Sequence, residues 1–281
     1  MIGRLLRSKK VWLVAAILLA GIAVLAWRHT MGDPVVRRTI IATADLPAGS
    51  PPVRIALISD IHVAGPDMPP ERLERIVTQI NALRPDVVMI AGDFVSDKRT
   101  ATHIYRPDEI IAPLAGLEAR LGVVAAPGNH DHWYDLPGLA AELRKAGVTL
   151  LSNEADQVGP LAVGGLDDAY TGRDDVPATL LAMRGLSGPR IILSHSPDPF
   201  PALPPDFGLM LAGHTHCGQI AYPWGGAPAH LSDYGDRYGC GRVDERGNTV
   251  VTGAGLGTSL IWIRLFARPE IWILELRAKG A

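Results

Sequence analysis

The chain has 281 residues, 47% of them hydrophobic and 20% charged, with a formal net charge of −2. That length holds one α/β domain of roughly 240 residues with an ample core, and little else. Residues 1–34 carry five basic side chains and one acidic, leaving 22 basic against 28 acidic in the remainder, a balance with no basic footprint for nucleic acid.

Residues 1–34 read as a membrane anchor. The run 11–27 is 17 residues without a charge, at the short end of what crosses a bilayer as a helix. Arg4, Arg7, Lys9 and Lys10 precede it. A cleaved secretory signal is the competing reading, but its one small-residue site, Gly21-Ile22-Ala23, is followed by more apolar chain, which favours an uncleaved anchor. Four basic residues before the run against Arg28, Arg37 and Arg38 after it tip the amino terminus toward the cytoplasm and the folded domain, residues 35–281, outward.

Beyond Asp33-Pro34 the pattern alternates between strands and helices. Residues 35–43 and 46–52 read as a hairpin leading into a strand at 53–58. A helix follows at 70–83, with Pro70 in its first turn and Leu73, Ile76, Val77 and Ile80 at helical spacing, and Arg84-Pro85 stops it. A strand at 87–91, a helix at 107–119, a strand at 122–126 and a helix at 136–146, closed by Gly147, come next. Strands are predicted at 190–193 and 209–212, with the Pro-rich 197–205 as loop between them. After His216 the chain turns β-like, with strands at 249–254, 260–265 and 270–276. For 259–265, which contains Trp262, a core strand is favoured and lipid contact is the alternative.

Five of the apolar runs end on metal-ligand residues: Asp60-Ile61-His62, Gly92-Asp93, Gly128-Asn129-His130-Asp131, Ser194-His195 and Gly213-His214-Thr215-His216. Continuous hydrophobicity is expected of parallel strands covered on both faces. The crevice beyond the carboxyl ends of such strands is where α/β sheets bind ligands, so these residues converge on one edge. A carboxylate and an imidazole two apart, Asp60 and His62, both face a site when the backbone turns sharply at a strand end. Asp93 has two oxygens, enough to bridge cations at the roughly 3.5–4 Å spacing of binuclear hydrolases. Asn129 offers a carbonyl oxygen, while His195, His214 and His216 offer nitrogens. This mixed N/O set suits Mn, Fe or Zn better than Ca or Mg, and bound cations would supply the positive charge that the acidic domain lacks for an anionic substrate. Each motif alone is a weak signal, and the weight lies in their order. They hold five of the nine histidines. His29, His103, His132 and His230 read as anchor-flank or loop residues, with His132 near enough to orient the site.

With D-x-H, GD, GNHD, a lone H and GHTH in this order, the chain from Arg54 to about Leu276 resembles the calcineurin-like metallophosphoesterases. Within them it is most similar to membrane-anchored bacterial phosphoesterases, whose Gly-Gln after GHTH and terminal Gly-Leu-Gly…Arg-Pro-Glu read here as Cys217-Gly218-Gln219, Gly255-Leu256-Gly257 and Arg268-Pro269-Glu270. The resemblance implies an α/β sandwich of two mixed β-sheets flanked by helices, behind one transmembrane helix. It implies that Asp60, His62, Asp93 and His216 hold one divalent metal and Asp93, Asn129, His195 and His214 a second, with Mn favoured over Fe or Zn. It implies hydrolysis of a phosphate ester by a metal-bridging hydroxide, with His130 outside the ligand set and facing the leaving group. Asp131 then either holds the His130 imidazole or caps a turn. Cys217 stands where the resemblance expects Gly, and with Cys240 it is read either as a disulfide or as one of two unrelated thiols. Tyr222, Trp224, Tyr234 and Tyr238 either line an acyl or ring pocket or are packing.

The expected enzyme is a phosphodiesterase or pyrophosphatase at the bacterial inner membrane, its catalytic domain periplasmic and its substrate lipid-linked or periplasmic. One alternative is a cytoplasm-facing UDP-2,3-diacylglucosamine pyrophosphatase of lipid A synthesis. A non-catalytic metal-binding scaffold is another, and a protein phosphatase a third, for which no regulatory segment is seen.

Overall fold

The computed structural model describes residues 9–280, so Arg4 and Arg7 of the basic flank lie outside the described residues. Helix α1 (Lys9–Met31) has 23 residues and runs about 35 Å at 1.5 Å per residue, beyond the predicted 11–27 at both ends because Lys and Arg are themselves good helix formers. It is long and apolar enough to cross a membrane. Its last turn is fastened to the rest of the chain: the Arg264 N–H donates to Thr30 Oγ1 at 2.7 Å and Arg72 Nη2 to the Gly32 carbonyl at 2.9 Å.

Two six-stranded mixed sheets follow. The first runs β1 (Val35–Thr43), β12 (Glu270–Ala278), β2 (Val53–Ser59), β3 (Val87–Ala91), β4 (Val123–Ala126), β5 (Val148–Leu150). The second runs β10 (Gly241–Glu245), β11 (Asn248–Thr252), β9 (Leu209–Ala212), β8 (Arg190–Leu193), β7 (Leu161–Gly165), β6 (Glu154–Val158). Strands β2 to β5 are mutually parallel, as are β7, β8, β9 and β11. Alternate residues of one strand enter different cores because Cβ atoms alternate across a sheet. Ile55 and Leu57 meet Ile191, Leu193 and Leu211 between the sheets. Ala56 and Ile58 face outward onto α2 (Pro70–Ala82), whose buried stripe Leu73, Ile76, Val77 and Ile80 follows the predicted spacing.

Several predicted elements differ. Residues 35–52 are not a hairpin: β1 pairs in parallel with β12 along its whole length, so its partner is the far end of the chain. The helix predicted at 107–119 is α3 (Pro107–Ile111) followed by a 3-10 turn, Ala112–Gly116, since Pro113 brings no N–H to continue an α-helical ladder. Residues 260–265 form no strand. Leu265 makes only an isolated bridge to Ile220, and Leu260 is 69% exposed. Two short helices beyond the predicted ones are α4 (Asn129–Tyr134) and α6 (Val176–Ala182), on either side of the predicted α5 (Leu136–Lys145).

Candidate metal centre

All five clusters lie immediately beyond the carboxyl ends of β2, β3, β4, β8 and β9, so the two sheets meet at one edge. The sheets are cross-linked there: His195 Nδ1 lies 2.8 Å from the Ala91 carbonyl and the His214 N–H donates to Asp60 Oδ1 at 3.0 Å. Asp60, His62, Asp93, His214 and His216 all adopt left-handed backbone conformations, with φ between 48° and 69°. Each such residue costs roughly 1–3 kcal/mol, and sites hold that strain where a side chain must be aimed. Here the turn breaks strand alternation, so Asp60 and His62 face the same point. Gly128 is required by contact rather than by φ, because a Cβ there would lie 2.3 Å from Asp93 Oδ1.

The side chains gather as two overlapping sets. In one, His62 Nε2 lies 3.2 Å from His216 Nε2 and 3.5 Å from Asp93 Oδ2, with Asp60 Oδ1 3.4 Å from His216 Nε2. In the other, His195 Nε2 lies 3.1 Å from Asn129 Oδ1, 3.0 Å from His214 Nδ1 and 3.2 Å from Asp93 Oδ2. Asp93 belongs to both through the single oxygen Oδ2, while Oδ1 accepts the His130 backbone N–H at 2.9 Å. His62 Nδ1 is 2.9 Å from the Val95 carbonyl, so a ring N–H donates there and His195 Nδ1 donates likewise to Ala91, leaving both Nε2 lone pairs turned inward. Buried nitrogen and carboxylate lone pairs that converge at these separations repel one another unless positive charge sits between them. The donor set therefore fits a pair of divalent cations, in a mixed N/O shell.

The electrostatics agree. His195 is pushed up to about 10: burial opposes its charge, but the Asp93 carboxylate, with Asp60 behind it, outweighs burial. Asp93 is held far below the carboxylate range because His195 outweighs the burial that alone would raise it. Burial raises Asp60 to about 6, and burial with neighbouring His195 lowers His214 to about 3. Burial likewise takes His62 and His216 well below the ordinary imidazole range. Most of the imidazoles are thus already neutral, and His195 must release a proton to become a ligand. Between roughly pH 7 and 9, divalent-metal affinity should rise about tenfold per unit, with about one proton released per loading. Isothermal titration in buffers of different ionisation enthalpy reads both, and a pH-independent affinity would show that His195 is already neutral before the metal binds.

His130 is the most exposed member of the cluster, at 8%. Its Nδ1 is 2.5 Å from Asp97 Oδ1 and its Nε2 faces Ser259 Oγ at 3.5 Å. Of the two sequence readings of Asp131, partner of this ring or turn cap, the contacts match the cap: it accepts the Gly128 backbone N–H, and beyond its own turn those of Asp93 and Phe94, all at 2.8–2.9 Å. A carboxylate is the acceptor with enough lone pairs to hold three donors of two crossing loops. Burial, with Asp93 nearby, raises it to about 7. Asp131→Ala should cost more than about 3 kcal/mol of unfolding free energy in urea, since buried donors lose their acceptor. A loss below about 1 kcal/mol would contradict this holding role.

Asp97, Trp133, Tyr170, Ser259 and Arg264 were not legible as site residues. Asp97 stands outside every motif, although its position four residues after Asp93 is a faint signal. Trp133 and Tyr170, both about half exposed, pack on His130 (edge-to-face) and His214 (tilted) at 4.9 and 4.6 Å between ring centroids. Arg264 is fully buried, pinning Gly257 and Ala267 carbonyls with Nη2 3.1 Å from His216 Nδ1. His132 pairs with Asp167 at 2.6 Å. Of the four loop aromatics, Tyr238 is core, packed on Phe200, and Tyr222 and Trp224 stack on each other. Cys217 and Cys240 form a disulfide.

Known proteins share this arrangement of motifs. The sequence profile of the calcineurin-like phosphoesterases matches residues 53–218, from the start of β2 through the last histidine motif. The chain belongs to the calcineurin-like phosphoesterase family. Among family members it is 33% identical over 284 residues to the "Transmembrane protein with metallophosphoesterase domain" of Danio rerio, covering 94% of this chain and 62% of that one. It is 30% identical to the "Uncharacterized metallophosphoesterase YkuE" of Bacillus subtilis, covering 85% and 84%, and 29% identical to the "Phosphodiesterase YaeI" of Escherichia coli, covering 80% and 82%. The chain thus spans less than two thirds of the length of the zebrafish relative and most of the two bacterial ones.

Proposed function

We propose that this calcineurin-like phosphoesterase is a metal-dependent hydrolase of phosphodiesters or pyrophosphates, anchored to a membrane by α1. The observation that carries the reading is Asp93 Oδ2, within 3.5 Å of ring nitrogens from both sets: one buried carboxylate oxygen is shared by two metal sites, with His130 at their open side. Asp60, His62, Asp93 and His216 would hold one cation and Asp93, Asn129, His195 and His214 the other. Bound there, a divalent pair supplies Lewis-acid polarisation of phosphoryl oxygens and acidifies water near neutral pH. Mn, Fe and Zn all suit the donor set, and Mn is the first choice for reconstitution.

The chain's own groups do the rest. His130, with Nδ1–H held by Asp97, presents Nε2 at the mouth, where it donates a proton to the departing oxygen or steadies phosphoryl charge. Trp133 and Tyr170, in edge contact with each other, flank His130 and His214. No protein nucleophile is required.

The Cys217–Cys240 pair, one residue past the His216 ligand, supports a catalytic domain in an oxidising compartment, which for a bacterial chain is the periplasm. The same pairing disfavours the cytoplasm-facing nucleotide-lipid pyrophosphatase, and the YaeI relative is named a phosphodiesterase. The test is turnover of the full chain, stripped by chelator and reloaded with Mn, on phosphomonoesters, phosphodiesters and nucleotide-lipid pyrophosphates. Metal-restored diester hydrolysis is expected. Metal binding without turnover of any of these would leave the scaffold reading.

A further inference from the structure

We propose that the apolar cavity beside the metal centre takes the hydrocarbon chain of a membrane lipid whose phosphate ester lies between Asp93 and His130, a step that rests on the phosphoesterase reading above. The cavity measures about 340 Å3 and is walled by Gln219, Ile220, Leu231, Leu260 and Ile261, with His216 also on its lining. Pockets of roughly 300–1,000 Å3 are the usual size for small ligands. Two of its lining residues adjoin the candidate metal centre: His216 Nε2 belongs to the first ligand set, and Ser259 Oγ lies 3.5 Å from His130 Nε2.

The outer wall is apolar where water would be expected. Leu260 and Ile261 are 69% and 39% exposed, and Leu260 is held at φ 56°. Leaving such a side chain in water forfeits about 1.5–3 kcal/mol relative to burial. The shape of this tip is fixed. The Gln219 side chain donates to the Ser259 and Ile261 carbonyls at 3.0 Å and accepts the Ser259 N–H at 2.8 Å. An exposed apolar tip with a rigid backbone fits a surface that covers it.

The transmembrane helix supplies that surface. The same loop is bonded to the last turn of α1, Arg264 N–H to Thr30 Oγ1 and Phe266 N–H to His29 Nδ1 at 3.0 Å. Thr30 is three residues past Trp27, which is 57% exposed, and three residues are about 4.5 Å along a helix. Tryptophan marks the headgroup level of a spanning helix. Arg264 and Phe266 are therefore held within about one helical turn, roughly 5.4 Å, of Trp27 along α1, and Leu260, four residues before Arg264, lies within a chain reach of about 14 Å of that level. A lipid in that leaflet can bring its phosphate to the metal centre while its chain passes from bilayer to cavity and stays in apolar surroundings throughout.

Two measurements test this on the full chain in phosphatidylcholine vesicles. The first compares Mn-loaded protein on hexadecyl and ethyl p-nitrophenyl phosphate, which share a leaving group. The long-chain diester should be favoured in kcat/KM by more than about a hundredfold, on the scale of 0.8 kcal/mol per buried methylene, and Ile261→Asp should cut that ratio at least about tenfold, or 1.4 kcal/mol. Equal rates on the two diesters, or a ratio untouched by Ile261→Asp, overturns the proposal alone, whereas turnover of neither removes the phosphoesterase reading and the proposal with it. The second needs no turnover. With both native cysteines paired, a nitroxide on Leu260→Cys should report oxygen accessibility typical of the lipid interface, and one on Glu118→Cys, exposed ahead of β4, an aqueous profile. An aqueous profile at residue 260 overturns the proposal.

Discussion

Asp93→Ala is expected to lose both cations at once, with metal affinity down by more than about a hundredfold and turnover at background. The reason is geometric. Asp93 Oδ2 is near both His62 Nε2, at 3.5 Å, and His195 Nε2, at 3.2 Å, and the substitution removes it together with Oδ1, which accepts the His130 backbone N–H. Two cations a few ångströms apart repel strongly in a buried site, and the shared carboxylate is what offsets that repulsion. His62→Ala should differ by weakening mainly one cation, so bound metal per chain separates the two variants. Full activity of Asp93→Ala after chelation and metal add-back would remove the binuclear reading.

His130→Ala should instead keep its metals and lose turnover by about 10² to 10⁴, the usual worth of a general acid or base. Because Asp97 fixes the imidazole through Nδ1, Asp97→Asn should give a smaller loss, about tenfold to a hundredfold, together with a shift in the limb of the pH–rate profile that reports His130. Substrates with an acidic leaving group such as p-nitrophenol, which departs without a proton, should suffer least if His130 donates one. His130 stands close enough to His62 and Asp93 for all three to reach one cation, so metal content is the deciding readout. A His130→Ala protein with one metal fewer would make it a ligand.

Much of this centre is legible in the sequence for a simple reason. Parallel strands buried on both faces must be continuous apolar runs, and chemistry must begin where they end. Asp60, Asp93, Asn129, His195 and His214 could therefore be placed on one edge from order alone, as could the long apolar helix, which needs no partner to form. The interior of α2 was equally plain, since a 3.6-residue stripe is local information. What only the tertiary structure decided depends on neighbours distant in the chain. Nothing in residues 35–43 specifies that β1 pairs with a strand some 230 positions later, because an edge strand's pattern names no partner. The cap of Asp131 on its own turn was open to sequence reading, but nothing near it reveals that it also takes the N–H groups of Asp93 and Phe94, or that Asp97 holds His130. Side-chain hydrogen bonds are set by where loops cross, and crossing points have no sequence period. Residues 259–265 show the limit most clearly. By composition an apolar run with a Trp reads as a buried strand, yet it folds as a loop with Leu260 and Ile261 exposed, tied through Arg264 to Thr30 of α1. Hydrophobicity alone cannot distinguish a core strand from a surface loop; the contact with α1, far away in the chain, decided it here.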